Sequence, residues 1–365
     1  MKVHLIFVGN KFIYNTSLKD YVQRSVLKNF DYIDNTTFYK ESDNTLFLEL
    51  DSLLNTESKV IIVTSKQNFS TIGKVLCTVT EDNQVLKEGM LIPSESYVYK
   101  EASYLLEYKN CAVNVLHIDE MQKFPKLLLD SEDSKEVLNI FGEDEESLRA
   151  ILNPVAQTYD LRLDIFTIID GWIQVNVSSK KFGEISKFIP SASKLLPYKI
   201  IQTDDMATYI IEKLTQFDKK ITFAESCTGG LLSYFFTSRN GASNILDGSL
   251  VTYSNEIKAN WLAVEEATLE EFGAVSSVVV KEMAEGALNV SEADFALSIS
   301  GIAGDTGGTV DKPVGTVFVG LKTKDGFSKE EYLFLSGDRN YVQNQSVLHA
   351  VKILLLSSKD IFFEI

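Results

Sequence analysis

Short apolar runs alternate with segments of helical period along most of this chain, and the pattern divides it into three regions. In the first, residues 1–142, VHLIFVG and KVIIVTS read as buried strands. Residues 17–27, LFLELDSLL and 70–78 read as helices, and YLLEYKNCAVNVLHI supplies more strand. Strands and helices in alternation predict a mostly parallel sheet covered by helices. The second region, 143–200, is a small α+β module. EESLRAILNPVAQTY is a helix that Pro154 kinks or delays. LRLDIFTII and GWIQVNV flank the hairpin pair Asp170-Gly171, and a short helix follows over 181–188. The third region, 201–365, opens with a helix capped by Asp204 or Asp205. Its apolar positions Met206, Tyr209, Ile210, Leu214 and Phe217 recur at helical spacing. ITFAES, GSLVTYS, FALSISG, VGTVFVGLKT and KEEYLFL then read as strands, and 341–356 closes the chain as a helix. The expected class is α/β in three domains.

Composition narrows the function. The formal charge of −16 repels a phosphate backbone, which argues against bulk nucleic-acid binding. One small phosphorylated ligand needs only a few amides and one Arg, so it remains compatible. With no apolar run of about 18 residues, no membrane span is expected. The opening MKVHLIFVGNKF reads as a first strand and not as a leader. Cys77, Cys111 and Cys227 form neither a disulfide framework nor a CxxC pair, so the cytoplasm is the default compartment. His4, His117 and His349 are too scattered for an imidazole-based zinc site, and no metal is expected.

Four segments of the third region carry candidate chemistry. AESCTGG (224–230) joins a strand to a helix, so Ser226 projects at the carboxyl edge of the sheet, where open α/β folds bind ligands. Thr228, Gly229 and Gly230 open the helix and offer free amides to an anion. The same residues also suit a plain capping turn, and spacing alone leaves both readings open. A serine nucleophile needs a base. His349 on the last helix suits packing better, whereas VTYSNEIK offers Lys258 in the first turn of a helix capped by Asn255. To act near pH 7 this Lys must lose about 3 pKa units, of which a helix dipole supplies at most about 1–2 kcal/mol. Desolvation must do the rest, with Trp261 and Leu262 as candidate neighbours and Tyr253 as a donor or relay. SISGIAGDTGG (298–308) runs a strand into a loop whose Gly301, Gly304, Gly307 and Gly308 free amides for an anion, or form a long glycine-rich hairpin. Ser300 ends that strand, within reach of a reacting carbonyl or the nucleophile. In SGDR (336–339), Asp338 caps a helix and Arg339 presents a fork for phosphate or carboxylate.

In this order and spacing these segments, together with FGAVS (272–276) and KPVGTVFVGL, resemble the C-terminal domain of the CinA family over about 160 residues. The resemblance implies hydrolysis of the carboxamide of nicotinamide mononucleotide to nicotinic acid mononucleotide and ammonia, without a cofactor. It places Ser226 as nucleophile and Tyr253 and Lys258 as its activating pair. Ser300 falls at a Thr or Ser position and Arg339 at the functional Arg. Backbone amides near Thr228 and Gly229 would hold the oxyanion, and the glycine loop would help anchor the nucleotide. A small-molecule nucleotide substrate and a homodimer follow from the same resemblance. More loosely, residues 1–142 resemble a molybdopterin-binding-like domain and 143–200 a KH-type module. In the former, KVIIVTS runs into KQNFSTIG where the family carries paired glycines, so that domain is expected to be catalytically inactive. The KKFGEI segment lacks a GxxG phosphate clamp, which weakens an RNA-binding reading.

Overall fold

Strands that are apolar on both faces form the centre of both large sheets, as parallel sheets covered on each side require. A computed structural model describes all residues except 31, 42, 120, 121, 130–133, 180–182, 305, 364 and 365. The fold is α/β, in two compact units, Met1–Glu132 and Asp133–Ile365.

The first unit contains β1 (Lys2–Val8), α1 (Asn10–Tyr14), α2 (Thr16–Val26), β2 (Asn35–Tyr39), α3 (Thr45–Leu54), β3 (Ser58–Thr64) and α4 (Lys66–Thr80). A hairpin of β4 (Gln84–Lys87) and β5 (Met90–Pro93) follows, then β6 (Val98–Lys100), β7 (Ser103–Tyr108) and β8 (Cys111–His117). The sheet order is β2-β1-β3-β8-β7-β6, parallel from β2 to β8 and antiparallel beyond. Leu50, Phe69 and Leu76 pack one face, and Phe12, Val22 and Val26 the other. α4 starts at Lys66, earlier than its apolar period suggests, because Ser65 caps it and accepts the Asn68 amide at 3.4 Å. YLLEYKNCAVNVLHI is two antiparallel strands, turned at Lys109, which takes φ 54°.

The second unit begins before residue 142. β9 (Ser134–Phe141) pairs with strands of the module and not with the first sheet, which moves that sequence-based boundary to 132/133. α5 (Glu145–Thr158), β10 (Arg162–Ile169), β11 (Trp172–Ser179), α6 (Ile185–Leu195) and β12 (Ile200–Gln202) complete a sheet of order β10-β11-β9-β12. Pro154 neither delays nor ends α5. Asp144 caps that helix at 2.9 Å from Ser147 N, and burial of Leu148, Leu152 and Ala156 offsets the lost amide. Residues 181 and 182 of the expected 181–188 helix lie outside the described residues, and α6 runs from Ile185.

The rest of the unit holds α7 (Met206–Gln216), β13 (Ile221–Glu225), α8 (Leu231–Thr237), β14 (Leu246–Val251), α9 (Asn255–Leu262), α10 (Glu266–Phe272) and α11 (Ser277–Asn289). β15 (Phe295–Gly301), β16 (Thr316–Thr323), β17 (Ser328–Phe334), α12 (Arg339–Ser357) and α13 (Lys359–Phe362) close it. The sheet order is β14-β13-β15-β16-β17, with β13 parallel to both neighbours. Phe223, Leu297 and Ile299 face Val342, Ala350 and Leu354 of α12, while Ala224 and Ala296 face Leu262 of α9 and Met283 of α11. The connection from β13 to β14 through α8 lies on one face and that from β14 to β15 through α9 and α11 on the other. In open α/β sheets this arrangement places a ligand crevice at the carboxyl end of the first strand. Phe141, Ile169 and Trp172 of the smaller sheet join the same core as α12. Among the described residues no helix is long and apolar enough to cross a membrane.

Candidate active site

The strand β13 ends at that crevice in Ser226, and its ladder continues one residue further. Ser226 N donates to Ile299 O at 2.9 Å, and Thr252 N donates to Glu225 O at 2.8 Å. The backbone then turns through Gly229 (φ 60°) and Gly230 (φ 103°), left-handed values that favour glycine. Glu225 is fully buried beneath the turn and caps α8. Its carboxylate accepts the Thr228 hydroxyl at 2.7 Å, the Gly230 and Leu232 amides at 3.0 Å and the Ser233 amide at 2.9 Å. Gly229 N donates to Ser226 O at 3.1 Å. Of the helix-opening amides expected to face a ligand, those of Gly229 and Gly230 are therefore already taken by the chain itself. Among the described residues, the amides of this turn left without an acceptor are those of Cys227 and Thr228. Sequence reading missed Glu225 because its carboxylate reaches five to eight residues ahead, outside any local capping motif.

Lys258 is 1% exposed, and its Nζ lies 3.0 Å from Ser226 Oγ. The same nitrogen donates to Thr252 O at 2.7 Å and to Tyr253 O at 3.3 Å. A neutral amine has two N–H groups and one lone pair. With both N–H groups on the carbonyls, the lone pair is left for the Ser226 hydroxyl proton. Burial lowers the Lys258 pKa to about 8, against a smaller opposing effect of Cys227. About a tenth of the amine is then neutral at pH 7. Ser254, not Asn255, caps α9, accepting Ile257 N at 3.2 Å, which moves Lys258 to the end of the first turn. Trp261 is half exposed, whereas Leu262 is buried with Ala224. Desolvation, not the helix dipole, is the main cause of the lowered pKa.

The other expected residues surround this pair with different jobs. Tyr253 contributes its carbonyl to Lys258, but its exposed hydroxyl accepts Arg339 Nη2 at 2.7 Å. Arg339 is the first residue of α12, whose cap is Asp338, bonded to Tyr341 N at 2.8 Å. Gly304 faces the Arg339 guanidinium so closely that a Cβ there would lie 3.0 Å from Nη1. Gly301 is part of β15, where a Cβ would strike Val317, and Gly308 closes against the backbone of Pro313 and Val314. Gly307 takes φ 94°. At Gly301 and Gly308, close packing explains the absence of a side chain without a ligand. Asp305 of this loop lies outside the described residues. Ser300 is buried next to the Ser226 strand end, and its hydroxyl donates to Ala274 O at 2.7 Å, so it holds the FGAVS loop. Gln343, one turn beyond Arg339, donates to Cys227 O at 2.7 Å, a tether that no sequence signal marked. Burial pushes the Cys227 thiol up to about 12, which keeps it from competing as a nucleophile. His349 is packed in the core, and burial, then Lys352, brings it down to about 4.

This site is a strand-borne serine facing a buried amine in a crevice of an α/β sheet, with a guanidinium at its mouth. Residues 203–357 match the family described as the CinA C-terminal domain. A protein of Thermoanaerobacter sp. (strain X514), named as competence-damage inducible, is 36% identical over 227 residues, covering 60% of this chain and 54% of its own length. A CinA-like protein of Thermotoga neapolitana is 37% identical over 224 residues, with coverage of 60% and 54%. The chain thus spans about half the length of these relatives. The solved competence/damage inducible protein CihA of Agrobacterium tumefaciens is 37% identical, covering 41% of this chain and 92% of its own, with a TM-score of 0.41. Residues 203–357 thus match the CinA C-terminal domain family, and the match is to that part of the chain.

Proposed function

We propose that the C-terminal domain hydrolyses the carboxamide of nicotinamide mononucleotide, releasing ammonia and nicotinic acid mononucleotide. The observation that carries the reading is the 3.0 Å separation of Lys258 Nζ and Ser226 Oγ, with two carbonyls fixing the amine. Neutral Lys258 takes the Ser226 proton as Oγ attacks the carboxamide carbon. The unpaired amides of Cys227 and Thr228 supply the oxyanion donors, replacing the Gly229 amide of the sequence reading. The Lys258 ammonium then protonates the departing nitrogen, ammonia leaves, and a nicotinoyl ester of Ser226 remains. Water, deprotonated by the regenerated amine, hydrolyses the ester. Arg339, positioned by Tyr253 and backed by Gly304, anchors the phosphate. The choice of a pyridine mononucleotide rests on the family resemblance; the exposed guanidinium of Arg339, bonded to Tyr253, supports it. The first unit, whose α4 begins directly after Ser65 with no glycine turn, takes no part in this chemistry. Ammonia release from nicotinamide mononucleotide, compared with free nicotinamide and other pyridine amides, tests the reading. Turnover that survives Ser226→Ala refutes it.

A further inference from the structure

We propose that Glu225 is a positioning residue, whose buried carboxylate caps α8 so that the Ser226 hydroxyl stays on Lys258. The proposal rests on the Ser226–Lys258 reading and asks what holds that pair in register.

A carboxylate without exposure to water is costly unless hydrogen bonds replace its hydration. Here one hydroxyl and three amides do so, within 2.7–3.0 Å. The arrangement satisfies two needs at once. α8 is seven residues long and starts on Gly230, which has no side chain to cap it, so its first amides need an acceptor from elsewhere. The hydroxyls of Ser226 and Thr228, in the turn that leads into the helix, are alternative acceptors. If either turned toward the helix, the elbow would relax and Ser226 would leave the amine. Glu225 removes that competition and binds the Thr228 hydroxyl as well. Its own backbone is fixed by the Thr252 amide, and the turn by Gln343 on Cys227 O. Among the described residues Ser226 is thereby left with one side-chain partner, Lys258.

Glu225→Gln keeps the size but places an NH2 against groups that are all donors. Thr228→Val keeps the shape and removes one donor to the carboxylate, so it tests the same idea if the first variant fails to fold. Two readouts separate this role from plain stability. A fluorophosphonate probe reports the reactivity of Ser226 without reference to the amide substrate, and steady-state ammonia release gives kcat and KM separately. For Glu225→Gln, labelling of Ser226 and kcat should fall together by about 10- to 100-fold, the range expected for a small misplacement of a reacting group, while KM stays within about twofold. Thr228→Val should show a smaller loss of the same kind, in kcat and not in KM. Both variants labelling and turning over within about twofold of the parent would overturn the proposal, as would a loss confined to KM. If the parent labels at Ser226 but releases no ammonia, the amidase reading fails and the labelling ratio still decides Glu225. A parent that does not label at all, even at pH 9, refutes both.

Discussion

Two strand-to-helix junctions in this chain start alike and end differently. β3 runs into Ser65 and β13 into Ser226, each a serine at the carboxyl edge of a parallel sheet. Ser65 adopts extended backbone (φ −80°, ψ 160°) and caps α4 itself, so the helix begins on the next residue. At the second junction four more residues intervene, two of them glycines at positive φ, and the buried Glu225 caps the helix in place of the serine. At the second junction the helix amides are satisfied by Glu225, which leaves the Ser226 hydroxyl free of the capping role that Ser65 takes. On the proposed reading, that difference, and not the presence of serine, separates the structural junction from the reactive one.

The comparison breaks most sharply at the serines. Ser226→Ala should reduce ammonia release by at least about 10³-fold with little change in folding. A residual rate near the parent's, after excluding contamination, would show that the second junction is no more reactive than the first. Next in size is Lys258→Met, which removes the base and should lower kcat by about 10²- to 10⁴-fold. The stability effect has a definite sign. A lysine whose folded pKa is lowered to about 8 destabilises the fold by its full amount below pH 8. This penalty disappears as pH rises to the unfolded value of about 10.4. Parent stability should therefore rise by up to ~3 kcal/mol, relative to the Met variant, between pH 7 and 10.5 in chemical denaturation. An unchanged difference would mean that Lys258 is not held in this environment. A smaller effect is expected at the mouth. Arg339→Ala should raise KM for the mononucleotide by about 10- to 100-fold and change kcat little, while leaving Ser226 labelling intact. An equal loss with an uncharged pyridine amide would remove the phosphate-anchoring role. The smallest change belongs to the first junction. Ser65→Ala should cost about 1 kcal/mol of stability in the first unit, read by denaturation, with ammonia release unaltered.

The α/β class and most of the elements were legible because the apolar periods are strong and the turn signals local. The Asp170-Gly171 hairpin and the long last helix are examples: Ile169 pairs with Trp172 across the turn, and α12 runs from Arg339 to Ser357. The strand bearing Ser226 and the helix bearing Lys258 were visible for the same reason. What escaped were choices that local sequence leaves degenerate. Ser254 and Asn255 are both good caps, and in the fold Ser254 takes the extended cap conformation (φ −90°, ψ 160°). Trp261 is large and apolar, yet α9 turns it toward solvent and buries Leu262 instead. β9 escaped because its partners, β11 and β12, lie far along the chain, and only pairing shows which sheet it joins. Glu225 reads as one acidic residue among many in a chain of charge −16, and only its lack of exposure reveals what it does.

The most direct test is the pH dependence of kcat/KM for ammonia release from nicotinamide mononucleotide. If an uncharged Lys258 activates Ser226, the rate should climb about tenfold per pH unit below the midpoint and level off above an apparent pKa of about 8. A rate independent of pH from 6 to 10, or the same rise persisting in Lys258→Met, would contradict the mechanism.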